Sequence, residues 1–365
     1  MTTPEFLIGL DFFGAGNIGD DLMLAGFMTG IKDLGLSAKM RRLRALCSLD
    51  RASQRLRFPE IEWVDAGRPE ARERALKGAD ALLGIGGTPF QMSIGPWLLN
   101  NIEEVIVRKK EQAPFVFVNA GSESEANRAK SKFESVLRKI TSISARDGDT
   151  FALLDEWRNR ETKPELMRGA DLANISLPAL TKDHPPLDSR PHDLGVILGS
   201  DTLGKPDVRT VIDWIAMGKQ PIAWITCEVR NMPGCEYRIY LKNWFRLGGG
   251  LFHKPPHVRL YRPRYRSCSL AELVAPFARC KKILSSRYHG VLAAAWSGCR
   301  VAGIARSSKV KWLCRQLEIP VIEPPLTRDA LVQAENAAET VKRPLLEKFR
   351  ELAMEGIDGH RFGQY

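Results

Sequence analysis

Two ionisable residues, Arg287 and His289, interrupt the apolar run "ILSSRYHGVLAAAW" in the second half of the chain. Ionisable groups are costly to bury without partners, so each residue must either find a partner or line a cleft. Arg287 offers a planar, permanently charged fork that matches a phosphate or carboxylate, and His289 can hold or release a proton near neutral pH. The pair can therefore bind an anionic donor and move a proton. The alternative is a structural ion pair for Arg287 and a capping role for His289.

The neighbouring sequence predicts the elements that hold this pair. "CKKILSS" predicts a buried strand and "RYHGVLAAAWSG" the turn and helix after it, which places Ser286, Arg287 and His289 at a strand end and a helix start. Such a position suits an anion, because a helix start presents backbone N–H groups and the positive end of the helix dipole. "GIARSSKVKW" follows the next predicted strand and brings Lys309 towards the same pocket.

A second candidate site is "GAGNIGDD", which follows the first predicted strand and matches G-x-G-x-x-G. In a dinucleotide-binding fold this turn approaches a pyrophosphate. Asp20 and Asp21 oppose that interpretation, because two carboxylates at the helix start complement the dipole themselves and repel a phosphate. They either cap the helix or belong to a site. Asn17 can donate and accept hydrogen bonds on the turn, which favours contact with a sugar hydroxyl.

The order of elements predicts the fold class. Short apolar runs alternate with helical patterns, which is typical of parallel α/β folds. A segment at 178–193, rich in proline and polar residues, interrupts the pattern before it begins again. We therefore expect an α/β protein with two Rossmann-like domains facing across a cleft, residues 1–180 and residues 190–340, and a C-terminal helix and tail at 341–365 packing near the junction.

Composition limits the functional class. The 365 residues include 54 lysines and arginines against 43 acidic residues, and this net charge of +11 suits nucleic acid, anionic lipid or phosphorylated substrates. The seven cysteines show no Cys-x-x-Cys pair and no zinc-site spacing, so we expect reduced thiols, no metal and a cytoplasmic protein. No signal peptide and no run of membrane-spanning length is apparent. Any membrane contact would then be peripheral, at the inner membrane face.

Taken in order, these segments resemble the polysaccharide pyruvyl transferase family. The resemblance extends through most of the chain and rests on "GAGNIGDDLML", "GIGGTPF", "NAGSE", "SISARDGDTFALL", "GADLANISLP" and "ILSSRYHGVLAAAWSGCRVAGIARSSKV". The last segment is the most specific, since it is similar to the family's Arg-Leu-His block, which a helix of small residues and a lysine follow.

The resemblance implies a fold similar to the glycosyltransferase type B architecture and transfer of the enolpyruvyl group of phosphoenolpyruvate to a sugar, giving a pyruvate ketal. Phosphoenolpyruvate is then the donor substrate and no cofactor is needed, while the acceptor is a polysaccharide or a lipid-linked saccharide. The implied roles are general acid for His289 and donor binding for Arg287. Further substrate contacts are expected from Lys309, Ser286 and Arg230, and, on the acceptor side, from Asn17, Asp20 and Asp21.

Several alternatives remain open from the sequence. One is a nucleotide-sugar glycosyltransferase of the same architecture, a second is a non-catalytic protein that binds an anionic glycan, and a third is an NADP-dependent oxidoreductase. Arg146 and Asp147 form either a site pair or an internal salt bridge. The basic stretch at 254–266 is either a solvated face or a contact for an acidic glycan or a lipid-linked diphosphate. No nucleic-acid motif accompanies it, so no nucleic-acid partner is expected.

Overall fold

The chain separates into two compact units. The structure is a computed structural model that describes residues 4–10, 12–40, 42–92, 95–158, 164–199, 203–218, 220–228, 234–251, 253–360 and 362. The first unit comprises Met1–Ala15, Asp20–Ser176 and Glu347–Tyr365, and the second comprises Gly16–Gly19 and Leu177–Leu346. The short segment Gly16–Gly19 therefore belongs to the second unit although its chain neighbours belong to the first.

The first unit is built on a parallel sheet in the order β3-β2-β1-β4-β5-β6-β7. Its strands are β1 (Glu5–Ile8), β2 (Arg42–Cys47), β3 (Glu62–Asp65), β4 (Ala81–Ile85), β5 (Phe115–Ala120), β6 (Ser142–Ala145) and β7 (Glu165–Arg168). The helices of this half of the chain are α1 (Ile18–Asp33), α2 (Arg51–Arg57), α3 (Pro69–Gly78), α4 (Trp97–Arg108), α5 (Lys130–Leu137), α6 (Gly148–Trp157) and α7 (Ala173–Thr181), with a 3-10 helix at Ser124–Ala129. Every residue of β4 and β5 is buried, as expected for a parallel sheet covered on both faces.

The second unit repeats the plan in the order β10-β9-β8-β11-β12-β13, and the short β14 pairs antiparallel with β12. Its strands are β8 (His192–Ile197), β9 (Ile222–Ile225), β10 (Val258–Tyr261), β11 (Cys280–Ser285), β12 (Arg300–Ile304), β13 (Val321–Ile322) and β14 (Glu339–Thr340). Its helices are α8 (Lys205–Met217), α9 (Glu236–Lys242), α10 (Leu270–Val274), α11 (Tyr288–Trp296), α12 (Ser308–Gln316) and α13 (Arg328–Ala337), with 3-10 helices at Leu187–Ser189 and Phe277–Arg279. The last helix, α14 (Arg343–Asp358), returns the chain to the first unit.

The strand order locates the place where the second unit is suited to bind a ligand. Chain order proceeds outward from β8 to β10 on one side and from β11 to β13 on the other. The switch point therefore falls between β8 and β11, which pair in parallel with Ser285 opposite Ile197. In open α/β sheets, ligands bind beyond the carboxyl ends of the strands at this point.

The predicted fold class is confirmed. In the second unit, α10 ends shortly before Pro276, and a separate 3-10 helix follows it. The segment 178–193, which interrupts the pattern in the sequence, contains the end of α7 and a 3-10 helix. In α14, Phe349, Ala353 and Ile357 are buried, whereas Leu345 and Leu352 are half-buried.

Candidate functional site

Arg287 and His289 stand at the turn between β11 and α11, as the sequence predicts. The Ser285 hydroxyl accepts a hydrogen bond from the Arg287 N–H at 3.1 Å and donates to the Arg287 carbonyl at 3.0 Å. The helix that follows is apolar on all sides, and its residues from Gly290 to Trp296 are buried. The two ionisable side chains therefore lie at the half-buried start of an otherwise buried helix.

Ser286 anchors this turn to the neighbouring strand. Its hydroxyl is fully buried, accepts a hydrogen bond from the Gly199 N–H at 2.9 Å and lies 3.3 Å from the Ile197 carbonyl. The Ser286 N–H also donates to the Ile197 carbonyl at 2.9 Å. The hydroxyl thus ties the ends of β8 and β11 together. A contact between Ser286 and a substrate stays a prediction.

Arg287 is held between two carboxylates. Its Nε lies 2.6 Å from Glu236 Oε1, and its Nη2 lies 3.6 Å from Glu228 Oε2. The Glu236 side chain has no exposed surface, and those of Arg287 and Glu228 are 15% and 17% exposed. The backbone N–H of Glu228 donates to Glu236 Oε2 at 3.2 Å. Because one cation faces two anions, the cluster by itself carries a net negative charge when all three groups are ionised.

The electrostatics of this cluster favour the charged guanidinium. Burial acts to lower the pKa of Arg287, but the neighbouring Glu236 and Glu228 carboxylates outweigh burial and raise this pKa above its ordinary value. Burial, together with the Glu236 charge, also raises the pKa of the adjacent Cys227 thiol. Arg287 is therefore a permanent cation here and Cys227 a neutral thiol.

The backbone of Gly199 gives the guanidinium its room. A Cβ added at Gly199 would lie 2.5 Å from Arg287 Nε. A Cβ atom essentially never lies this close to a non-bonded heavy atom. The Arg287 side chain therefore packs directly against the backbone of Gly199, which has no side chain. A side chain at position 199 would displace the guanidinium from Glu236.

The turn Gly16–Gly19 completes the site from within the second unit. Asn17 forms an isolated antiparallel bridge with Glu228, and the Ile18 N–H donates to the Cys227 carbonyl at 3.0 Å. The Asn17 Oδ1 accepts from the Gly19 N–H at 3.1 Å, which closes an Asx turn. The glycine-rich turn of the sequence therefore contacts the residues that follow β9. Contact between Asn17 and a sugar stays a prediction.

Gly19 lies against the imidazole of His289. A Cβ at position 19 would overlap the ring around Nδ1, so the turn and the histidine fit together only with glycine. His289 is half-buried, and its ring packs edge-on against Tyr288 with centroids 5.3 Å apart. The Asn17–Gly19 turn thus connects the end of β9, where Glu228 lies, with the face of His289. An imidazole and a carboxylate therefore both lie beside this turn.

The remaining predicted substrate contacts fall in different places. Lys309 is half-buried in the first turn of α12, the helix that follows the strand next to β11. Arg230 lies outside the described residues. Asp20 is half-buried in the first turn of α1 and belongs to the first unit. Asp21 is fully buried there, with its Oδ2 3.3 Å from Arg57 Nε. Substrate contacts by these residues stay predictions, and the structure gives Asp21 a core ion pair.

In the first unit, Arg146 and Asp147 form the internal salt bridge that the sequence allowed. Arg146 Nε lies 3.3 Å from Asp147 Oδ2, and its Nη1 donates to the Gly87 carbonyl at 3.2 Å. Asp171 Oδ2 lies 3.8 Å from the same Nη1. Arg146 is 2% exposed, so the pair connects the ends of β4, β6 and β7.

Sequence reasoning missed Glu228 and Glu236, which complete the environment of Arg287. The available signal was the strand "QPIAWITCE", whose final residue is Glu228. Arg230, two residues later, was predicted as a donor contact because a donor anion requires cations. A buried guanidinium also requires a carboxylate, and Glu228 stands at this strand end. Among the described residues, no cluster of three or more His, Cys, Asp and Glu side chains is arranged to hold a metal ion.

Comparisons with known proteins bear on both the chain and the fold. A family model described as polysaccharide pyruvyl transferase matches residues 17–308. No curated protein sequence matches the chain. The matched region begins at Asn17 and includes Arg287 and His289, and it ends one residue before Lys309.

Solved structures share the fold at low sequence identity. The UDP complex of MnaA from S. aureus has a TM-score of 0.62 at 13% identity, covering 98% of this chain and 95% of that chain. Sucrose-phosphate synthase from Thermosynechococcus elongatus has a TM-score of 0.56 at 11% identity, covering 100% and 98%. A glycosyltransferase from Rickettsia africae has a TM-score of 0.55 at 10% identity, covering 98% and 94%. The fold is thus similar to that of type B glycosyltransferases.

Proposed function

The chain belongs to the polysaccharide pyruvyl transferase family, and from this premise we propose that it transfers the enolpyruvyl group of phosphoenolpyruvate onto two hydroxyls of one sugar. The acceptor is a polysaccharide or a lipid-linked glycan precursor, and the product is a pyruvate ketal. The observation that carries the proposal is the family match over residues 17–308, since this range contains both the Asn17–Gly19 turn and the Arg287–His289 pair that meet in the second unit.

His289 is the general acid of the proposed reaction. It donates a proton to the methylene carbon of phosphoenolpyruvate, which converts the enol phosphate into an oxocarbenium-like centre at the adjacent carbon. The first sugar hydroxyl attacks that carbon and gives up its proton, which restores His289. The phosphate ester bond then breaks, the second hydroxyl closes the ketal, and its proton leaves with inorganic phosphate. General acid catalysis of this kind typically contributes about a hundred- to ten-thousand-fold in rate.

Arg287 binds the donor while Glu236 holds it in place. The 2.6 Å contact between Nε and Glu236 fixes the guanidinium, whereas Glu228 lies 3.6 Å from Nη2, beyond hydrogen-bond distance. A donor carboxylate or phosphate can therefore take the outer edge of the fork from Glu228. The displaced Glu228 carboxylate is then available to accept the proton of the second hydroxyl before that proton leaves with inorganic phosphate. The difference between the two distances supports both roles.

Donor binding needs more positive charge than Arg287 supplies. A phosphate monoester carries about two negative charges near neutral pH, and the donor's carboxylate adds another. Glu236 already compensates Arg287, so a second cation is required, and Lys309 at the start of α12 fills that role. The N-termini of α11 and α12 add favourable dipoles at the same sheet edge.

The direct test is incubation of the full chain with phosphoenolpyruvate and a panel of glycans, measuring phosphate release together with ketal formation. We expect His289→Gln to lower turnover by about a hundred-fold or more while donor binding persists, and Arg287→Lys to weaken donor binding. His184→Gln, which alters a histidine elsewhere in the second unit, serves as the matched control. Absence of any ketal across a broad acceptor panel would count against the proposal.

A paired comparison on α12 tests the second cation. Lys311 lies two residues from Lys309, its Nζ lies 2.6 Å from Glu323 Oε1, and it serves as the matched control. Lys309→Met should raise the dissociation constant for phosphoenolpyruvate, and Lys311→Met should leave it unchanged. Thermal shifts with phosphoenolpyruvate and with nucleoside diphosphates, run side by side, distinguish pyruvyl transfer from nucleotide-sugar glycosyl transfer. A larger shift with the nucleotide would favour the glycosyltransferase.

A further inference from the structure

Most of the chain's excess positive charge comes from one stretch of the second unit. Residues 237–271 contain no aspartate or glutamate, while the whole chain has a net charge of +11. The basic residues of this stretch are Arg238, Lys242, Arg246, Lys254, Arg259, Arg262, Arg264 and Arg266. All but Arg238, which is half-buried, are exposed. A local field of one sign on this scale attracts an anionic partner.

Three large apolar side chains are exposed in the same stretch. Leu241, Phe245 and Leu251 are 45%, 69% and 84% exposed. Scattered exposed apolar residues are ordinary, but several within one short segment indicate an interaction site. The stretch therefore combines exposed apolar groups with unbroken positive charge.

Apolar and basic side chains are both exposed at the end of α9 and in the turns that follow it. α9 ends at Lys242, and the turns after it are hydrogen-bonded, with the Trp244 N–H donating to the Leu241 carbonyl at 3.3 Å. Ile239, Tyr240 and Leu247 pack into the core of the second unit. Leu241, Lys242, Phe245 and Arg246 are exposed, so this face presents apolar and basic side chains close together in the chain.

The following loop folds back and adds to this face. The Trp244 indole donates to the Gly250 carbonyl at 3.0 Å, and the Gly250 N–H donates to the His253 carbonyl at 2.9 Å. Leu251 lies inside this turn and is the most exposed of the three apolar residues. The Arg262 guanidinium stacks 3.9 Å from the centre of the Tyr237 ring, which brings the end of the edge strand β10 beside α9.

We propose that this face, formed by residues 237–251 and 253–266 and called here the basic apolar face, docks on the surface of an anionic lipid bilayer. The apolar side chains would enter the boundary between headgroups and acyl chains, and the arginines and lysines would meet lipid phosphates. A soluble polyanion would use the charge but has no need for Leu241, Phe245 and Leu251. Asp213 Oδ1 lies 3.6 Å from Arg246 Nη1 and neutralises part of the positive charge of this face. No helix in the described part of the chain is long and apolar enough to cross a membrane, so the contact is interfacial.

Vesicle flotation of the full chain tests the proposal. We expect the protein to bind vesicles of mixed phosphatidylglycerol and phosphatidylcholine, to bind pure phosphatidylcholine weakly, and to lose most binding in high salt. Phe245→Ser combined with Leu251→Ser should reduce partitioning by about tenfold or more. Arg262→Gln with Arg264→Gln and Arg266→Gln should weaken binding and flatten its salt dependence. The matched control is Leu56→Ser with Val107→Ser, since these residues of the first unit are 57% and 82% exposed.

The outcomes separate the possible partners. Vesicle binding that the apolar double variant abolishes and the control leaves intact supports the proposal. Equal binding by the double variant, or binding to polygalacturonate or nucleic acid without binding to vesicles, overturns it. Circular dichroism of each variant confirms folding, and the replaced side chains are exposed. The assay uses neither phosphoenolpyruvate nor an acceptor, so its failure would leave the proposed transferase activity untouched.

Discussion

Glu236 Oε1 lies 2.6 Å from Arg287 Nε, and the Glu236 side chain has no exposed surface. The pair connects the start of α9 with the start of α11, beyond the ends of β9 and β11, which β8 separates in the sheet. Taking two charges out of water is costly, and breaking such a pair leaves the surviving charge buried without its main partner. The pair therefore has a measurable role in stability, apart from any role in donor binding.

We predict that Glu236→Gln lowers the free energy of unfolding by about 3 kcal/mol. The matched control is Glu323→Gln, because Glu323 also lies 2.6 Å from its partner Lys311 but is 52% exposed. Exposed pairs contribute about 1 kcal/mol or less. Urea denaturation of both variants measures the contrast. Equal losses would mean that burial does not set the strength of the Arg287 pair.

Gly19→Ala is predicted to impair catalysis more than folding. An alanine Cβ would overlap the His289 imidazole, and the ring must rotate or shift to accommodate it. We expect turnover to fall by about tenfold or more, since small displacements of a general acid are costly, while the affinity for phosphoenolpyruvate changes little. Gly148→Ala is the control, because a Cβ at Gly148 meets nothing within 4 Å. A loss of donor affinity as large as the loss of turnover would argue against a positioning role for Gly19.

The fold could be predicted from the sequence because parallel strands leave a strong pattern. β4 and β5 are buried runs that a glycine follows, β11 ends in serine, and the helices between strands show helical spacing. The same reasoning placed Arg287 and His289 correctly at the start of α11. The carboxyl ends of parallel strands lie at one edge of the sheet. The sequence of a strand and of the turn after it is therefore enough to predict where Arg287 and His289 lie.

The partners of these two residues could not be predicted, because they come from distant parts of the chain. Glu236 is 51 residues from Arg287 in sequence, and Gly19 reaches His289 because Gly16–Gly19 belongs to the second unit. A sequence pattern shows that a guanidinium needs compensation but does not show which carboxylate supplies it. The sequence likewise does not show that Asp21 pairs with Arg57.

The adjacent residues Asp20 and Asp21 are predicted to behave differently when neutralised. Asp21 is fully buried against Arg57 and accepts a hydrogen bond from Gln54 Nε2 at 2.8 Å. Asp21→Asn should therefore cost about 3 kcal/mol of stability. Asp20→Asn should cost about 1 kcal/mol or less, the usual effect of a carboxylate at a helix start. Measuring unfolding together with turnover separates the roles, since lower turnover with unchanged stability in Asp20→Asn would support acceptor contact.

His360 is predicted to make the first unit less stable in acid. The imidazole is 2% exposed, with Nδ1 2.8 Å from the Ser142 hydroxyl and Nε2 3.0 Å from the Ser144 hydroxyl. Burial lowers the pKa of His360 to about 3, from 6.5 in the unfolded chain. Between these values the unfolded chain binds a proton that the folded chain excludes, so the contribution is fully present above pH 6.5 and declines as the pH falls towards 3.

The comparison with His360→Asn isolates this effect. The stability advantage of the wild-type chain over His360→Asn should shrink by about 1.4 kcal/mol for each unit that the pH falls below 6.5. Ser144→Ala removes a hydrogen-bond partner but keeps the titrating ring, so its pH dependence should follow that of the wild type. Urea denaturation over a series of pH values measures both differences. A wild-type advantage over His360→Asn that stays constant with pH would show that the folded chain protonates the ring as readily as the unfolded chain does, which would contradict the prediction that burial keeps the imidazole neutral.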